Sequence, residues 1–278
     1  RLFDLHDDRT ARNARPLRDV CQDVLDEIDA ERRGEGTATV PTGFTDLDRM
    51  LAGGFRPGEL IIMAARPAMG KSAIAADFAR SIARDRVVAF FSLEMSAQNL
   101  CERMLSAAGS IRGLRIRDRT LSDADMRRLI ETAADISGLR AWVDDNSQQR
   151  VGDIAASVRM IEQRSGEKVD LIVVDYLQFV TPDDPRQPRE QQVAATARRL
   201  KQLARDRQCP VVAVCAVNRK SEESGDKRPK LSSLRESGSL EFEADIVLLL
   251  HRDDYYKRGE EAEECRGVAE VHIAKQRN

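Results

Sequence analysis

Gly70, Lys71 and Ser72 are the residues whose order and types point most directly to chemistry. They close the segment Ala65-Arg66-Pro67-Ala68-Met69-Gly70-Lys71-Ser72. Such a segment suits a polyphosphate. Many hydrogen-bond donors must converge on a small volume, and the N–H groups of a loop and of a helix's first turn supply them. Gly70 lets the backbone approach with no Cβ in the way. Lys71 sets a compact charge against β- and γ-phosphate oxygens, and the Ser72 hydroxyl suits Mg²⁺. The pattern departs from the usual phosphate loop at its first position, where Ala65 stands for glycine, so the turn must accept a methyl group. Two carboxylates extend the set. Glu94 can polarise a water for attack on a γ-phosphate, or be an ordinary loop acid. Asp175 can complete a metal site beside Ser72, or form an Asx turn at a strand end.

These residues need elements to hold them. Leu60–Ala65 is an apolar run long enough for one buried strand, and residues 73–83 place Ile74, Phe78 and Ile82 one helical turn apart. Strand, loop and helix in that order are what a phosphate loop requires. Arg86–Ser92 reads as a second strand with Glu94 just past its carboxyl end, and Asp170–Asp175 as a central strand with an acid at its tip. In an open parallel sheet, ligands bind beyond the carboxyl ends of the strands, so both acids fall near the phosphates. Further strands are predicted at 141–144, 210–217, 244–251 and 268–274. Helices are predicted at 45–51 with Thr45 as N-cap, at 97–108 capped by Ser96, after Ser122, and near 151–164 and 190–207. The alternation predicts an α/β P-loop core with a mostly parallel sheet.

Residues 1–16 read as a polar lead-in, and 17–31 as an amphipathic helix on a charged, Gly-containing linker. The expected division is 1–40, lead-in and helix, and 41–278, the nucleotide domain. The apolar stripe of the helix suits packing on its own domain or on a neighbouring subunit. With 41% hydrophobic residues over 278, a sizeable core can be buried, while a net charge of −2 announces no global polyanion partner. Aromatics at 4% argue against extensive base stacking. Cys21, Cys101, Cys209, Cys215 and Cys265 are scattered, with no CxxC pair, and read as reduced thiols of a cytoplasmic protein. There is no signal peptide and no long apolar span, so no membrane partner is expected. The chain starts at Arg1 and stops after Lys275-Gln276-Arg277-Asn278, which reads as a fragment. The loop from Lys220 to Gly238 carries Lys227, Arg228, Lys230 and Arg235 among acids. On charge alone it is a solvated loop, although loops at this end of a sheet can also meet a phosphodiester chain.

The motifs together resemble the ATPase domain of the DnaB-type replicative helicases. The carrying segments are Pro41–Asp48, Ala65–Ser72, Phe91–Ser96, Asp175–Gln178, Asp226–Pro229, Leu234–Ser239 and Lys275–Asn278, in the family's order over residues 17–278. The resemblance implies a RecA-like P-loop fold, use of ATP with Mg²⁺, hexameric rings and 5′-to-3′ movement on single-stranded DNA. It also implies a helicase loader and primase as partners. Within it, Lys71, Ser72 and Asp175 hold phosphates and metal, and Glu94 activates water. Lys275 and Arg277 resemble the basic pair that reaches a neighbour's nucleotide, Arg277 as the arginine finger. Arg235, Glu236 and Gly238, with Lys227 and Arg228, resemble the central-channel loop on the single strand, and the 17–31 helix resembles the linker that docks on an adjacent protomer. Two departures stand out. The family's Ser-Gln-Leu-Asn-Arg is Cys215-Ala216-Val217-Asn218-Arg219 here, so a Gln that senses the γ-phosphate is Ala216. The family's amino-terminal collar and the segment after Asn278 fall outside this sequence, and weak hexamer formation is expected. A nucleotide-switched DNA-binding scaffold with uncoupled hydrolysis is the alternative that Ala216 suggests. A RecA-type recombination or clock ATPase is a further one, against which Arg235–Gly238 speaks.

Overall fold

Strand β1 (Leu60–Ala65) runs through the middle of a seven-stranded sheet and is buried along its whole length. The other strands are β2 (Val87–Ser92), β3 (Ala141–Asp144), β4 (Val169–Asp175), β5 (Val211–Ala216), β6 (Ile246–His251) and β7 (Glu270–Gln276), in the order β3-β2-β4-β5-β1-β6-β7. All neighbours pair in parallel except β6 and β7, which are antiparallel. The computed structural model describes residues 14–33, 39–217, 227–232, 234, 238–257 and 259–277.

A sheet of this kind must be covered on both faces, which is why β1, β2, β4, β5 and β6 are nearly continuous apolar runs. Alternate residues of β1 serve different cores. Leu60, Ile62 and Ala64 face one, with α7 (Val151–Ser165) and α8 (Arg189–Arg207) supplying Ile154, Val158, Val193 and Leu200. Ile61, Met63 and Ala65 face the other, where α3 (Lys71–Ile82) supplies Phe78 and Ile82, and α4 (Ala97–Ala108) supplies Leu100 and Met104. α5 (Gly113–Arg117) and α6 (Asp123–Ser137) follow α4, and α9 (Gly238–Glu243) and α10 (Glu260–Glu264) flank β6. The chain divides into two compact units, 1–39 and 40–278. In the first, α1 (Leu17–Arg32) exposes Leu17, Val24, Leu25 and Ile28.

Several boundaries move from their predicted places. α3 begins at Lys71, two residues early, so Lys71 and Ser72 belong to its first turn. β7 extends through Gln276 and takes Lys275 into the sheet. α2 (Thr45–Met50) is not capped by Thr45, because Phe44 holds the N-cap position without a side-chain bond. The physical reason is Asp48. Its carboxylate accepts from the Thr42 N–H and hydroxyl, both at 2.7 Å, and from the Gly43 N–H at 3.2 Å, which fixes the entry to the helix from within. Downstream, Gly54 sits at φ 126°, and a Cβ there would lie 2.3 Å from the Val40 carbonyl. Only glycine permits the close Val40–Phe55 bridge that leads into β1.

Candidate nucleotide-binding site

The loop between β1 and α3 owes its shape to backbone conformation. Ala68 and Gly70 both adopt left-handed φ values, 65° and 91°. Gly70 is the N-cap of α3, and a Cβ on it would meet nothing within 4 Å, so its φ and the open space above it explain the glycine. The left-handed turn at Ala68, which costs an alanine about 1 kcal/mol, is held by the fully packed Met69 beside it. Lys71 Nζ donates to the Arg66 carbonyl at 3.0 Å, which folds the side chain over the loop. Burial holds the Lys71 ammonium below its usual pKa range, and the carboxylates of Asp175 and Glu94 oppose that shift.

Sheet register brings the other groups to the same edge. Ser92 pairs with Asp175, and Ala65 with Ala216, so the carboxyl ends of β1, β2, β4 and β5 line up. The Leu93 N–H donates to the Asp175 carbonyl at 2.6 Å, and the Ser92 hydroxyl to the Met95 carbonyl at 2.7 Å, which fixes the turn carrying Glu94. Glu94 is exposed to solvent. Asp175 is 2% exposed, and its Oδ1 has no hydrogen-bond partner among the described residues. Burial raises the Asp175 pKa; the Ser72 hydroxyl, as a hydrogen-bond donor, pulls it back, Glu94 raises it, and Lys71 and Arg103 lower it. A buried, orphaned carboxylate oxygen next to a serine hydroxyl is a hard oxygen donor set that fits Mg²⁺, an ion that keeps few protein ligands beside phosphate and water. Among the described residues, no cluster of three or more His, Cys, Asp or Glu could hold a metal unaided.

Sequence reasoning gave no hint of two neighbours of this edge. Arg103 on α4 acts on Asp175, and Tyr256 lies near Arg66 and stacks on His251 at 5.6 Å. Lys227 Nζ sits 4.9 Å from the Tyr256 ring centre, so a residue assigned to nucleic acid touches the surroundings of the phosphate loop. Both neighbours depend on tertiary packing, which leaves no local signal in the sequence. Arg228 is committed to Glu270 through two bonds of 2.8 and 2.7 Å and holds the Glu270 carboxyl down to about 2. Arg235, Glu236, Asn218, Arg219 and Asn278 lie outside the described residues, and Gly238 begins α9.

Lys275 and Arg277 are not part of this edge. β7 runs against β6, and Gln276 pairs with Ile246 at the start of β6. Ile246 in turn pairs with Ile61 near the start of β1, so β7 ends at the amino edge of the sheet. A strand of this length separates the two edges by about 20 Å at roughly 3.3 Å per residue.

A model of the DnaB-like helicase C terminal domain matches residues 39–278. The replicative DNA helicase DnaB of Geobacillus stearothermophilus is 42% identical over 266 residues, spanning 94% of this chain and 57% of that protein. The replicative DNA helicase DnaC of Bacillus subtilis is 41% identical with the same coverage. The chain therefore spans a little over half the length of these relatives. Among solved structures, one described as an ATPase domain superposes with a TM-score of 0.86 at 35% identity, covering 96% of this chain and 93% of that one. A DnaB-like replicative helicase described with its interactions with primase gives 0.83 at 35%, covering 96% and 63%. A KaiC-like protein from Pyrococcus horikoshii, at 16% identity and a TM-score of 0.53, shares the fold alone, a RecA-like α/β core. With the family model covering all but the first residues, this chain belongs to the DnaB-like helicase C-terminal domain family.

Proposed function

We propose that this chain is the ATP-hydrolysing motor of a ring-forming replicative DNA helicase that moves 5′ to 3′ on single-stranded DNA and unwinds duplex. The observation that carries the reading is the split of its charged groups between the two edges of the sheet. Lys71, Ser72, Glu94 and Asp175 converge on one edge, and Lys275 and Arg277 stand at the other. A site that needs both sets draws them from two chains. Ala65–Gly70 backbone groups and Lys71 bind the phosphates. Ser72 and Asp175 would hold Mg²⁺, which would supply positive charge to the polyphosphate. Glu94 orients water and accepts its proton. The neighbour's Lys275 and Arg277 offset charge that spreads over the transferring phosphoryl oxygens. Lys227, Arg228, Arg235, Glu236 and Gly238 belong to the nucleic-acid side of the ring. A homo-hexamer, a loader and primase as partners, and a cytoplasmic setting complete the reading. Substituting Lys71→Ala should bring hydrolysis to background with the fold intact. Normal turnover in that variant would sink the assignment.

A second reading has its own observation. Ala216 faces Ala65 in the β1–β5 register, so methyl groups stand where a side-chain relay would run. On this reading the chain binds ATP and assembles on DNA but hydrolyses without unwinding. ATP turnover measured with and without single-stranded DNA at two salt concentrations separates the two. Strong, salt-sensitive stimulation supports the motor; DNA-independent turnover with intact ATP binding supports the scaffold.

A further inference from the structure

β7 ends against a short helix of its own chain. Side chains alternate along a strand, so Lys275 and Arg277 share one face. On that face both cations are engaged. Lys275 Nζ donates to the carbonyls of Glu241 and Ala244, the second at 2.8 Å, and Arg277 Nη2 donates to the carbonyl of Phe242. These acceptors belong to the last turn of α9 and the residue after it. A helix leaves its last four carbonyls without internal partners, and cations there also meet the negative end of the helix dipole. The pair is therefore the C-terminal cap of α9.

α9 depends on that cap. It is six residues long, too short to be stable alone. Leu240 anchors it in the core at 1% exposure, and Glu243 accepts from Arg198 on α8 at 3.0 Å. The strand end beneath it is firmer. The Arg277 N–H donates to the Asp245 carbonyl at 3.0 Å, and the buried Asp245 carboxylate accepts from the Leu60 N–H at 2.7 Å and from Lys201 Nζ at 2.6 Å. So the backbone of the pair is fixed, and its charged heads are the parts free to trade acceptors.

We propose that α9 positions the Lys275–Arg277 pair in the unassembled protomer, and that the pair uncaps α9 when it reaches the phosphates of a nucleotide held by a second copy of this chain. This rests on the trans-acting reading of the pair given above. The coupling is reciprocal: whatever steadies α9 opposes engagement, and engagement loosens α9. In sequence, α9 follows directly on Arg235–Ser237. The turn that holds the pair is thus the next element in sequence after the segment assigned to nucleic acid.

Hydrogen exchange on the full chain tests this. In the nucleotide-free, unassembled chain, the double variant Lys275→Met, Arg277→Met should speed exchange of the 240–244 amides about tenfold, the loss of one or two net hydrogen bonds. Amides of β1 and β6 should not change. Lys275→Gln, which keeps a donor, should give a smaller increase and serves if the double variant does not fold. In the wild type, assembled rings isolated with Mg²⁺ and a non-hydrolysable ATP analogue should show the same acceleration at 240–244. Unchanged exchange in the variants overturns the capping role. Faster exchange in the variants but full protection in nucleotide-bound rings overturns the release. Failure of the finger reading itself looks different: assembled Arg277→Ala rings would hydrolyse ATP normally while the exchange result in the unassembled chain still held.

Discussion

The two edges of the sheet solve opposite problems with the same kinds of residue. At the carboxyl edge, burial is left without full compensation. Asp175 keeps an orphaned oxygen, its pKa is pushed up by burial, and Lys71 is pushed down by the same cause. At the amino edge three cations rest on acceptors: Lys275 and Arg277 on α9 carbonyls, and Lys201 on Asp245. The first arrangement stores unfavourable burial that a bound polyphosphate and cation would relieve. The second satisfies its charges locally, so the groups rest in one place until a better acceptor arrives. A receiving edge and a donating edge in one chain is what a site shared between neighbouring copies requires.

The comparison breaks most visibly if the donating edge is removed. If Arg277 acts as proposed, Arg277→Ala should lower ATP turnover of the assembled protein by about 10³-fold, the size of an arginine-finger effect. Rings doped with a minority of this variant should lose activity more than in proportion to the dose. Proportional loss would place Arg277 in its own chain's site, against the β7 register. On the receiving edge, Glu94→Gln keeps the shape and removes the base. Its turnover should fall about 10²-fold while nucleotide affinity stays close to that of the wild type. An equal loss in affinity would make Glu94 a binding group and take the water-activating role away from it.

Most of the receiving edge was legible in the sequence because its signals are local. The phosphate loop is one contiguous segment, and caps are short-range: Ser96 accepts from the Asn99 N–H at 3.2 Å, and Ser122 with Asp125 forms a capping box. Asp175 was legible because a lone acid ending an apolar run must emerge at a strand tip. Thr45 misled because a cap preference was read without its competitor, Asp48, which reaches back six residues to Thr42. The donating edge was legible only in residue type. That Lys275 and Arg277 rest on α9 depends on contacts across more than thirty positions of chain, and backbone carbonyls have no sequence signature at all. The same holds for Lys201 and Asp245, 44 residues apart.

The smallest expected effect is also the sharpest test of uncompensated burial. Asp175 has a raised pKa in the folded chain, chiefly because burial disfavours its charge. The sign follows from linkage. A carboxylate with a higher pKa folded than unfolded binds more protons when folded, so this group's contribution to stability falls as pH rises from its unfolded value through its folded one. Wherever it is ionised, the group therefore weighs against the nucleotide-free fold. Asp175→Asn removes the charge and keeps the shape, so it should raise the Tm of the nucleotide-free chain, by about 2–4 °C for each kcal/mol relieved in a domain of this size. The gain should shrink at acid pH, where the wild-type group is protonated. It should vanish or reverse with Mg²⁺ and ATP analogue present, because the wild type then gains binding energy that the variant lacks. A Tm that falls in the nucleotide-free variant would mean that the Asp175 charge is already compensated by Ser72, Lys71 and Arg103, and that the two edges differ less than their hydrogen bonds suggest.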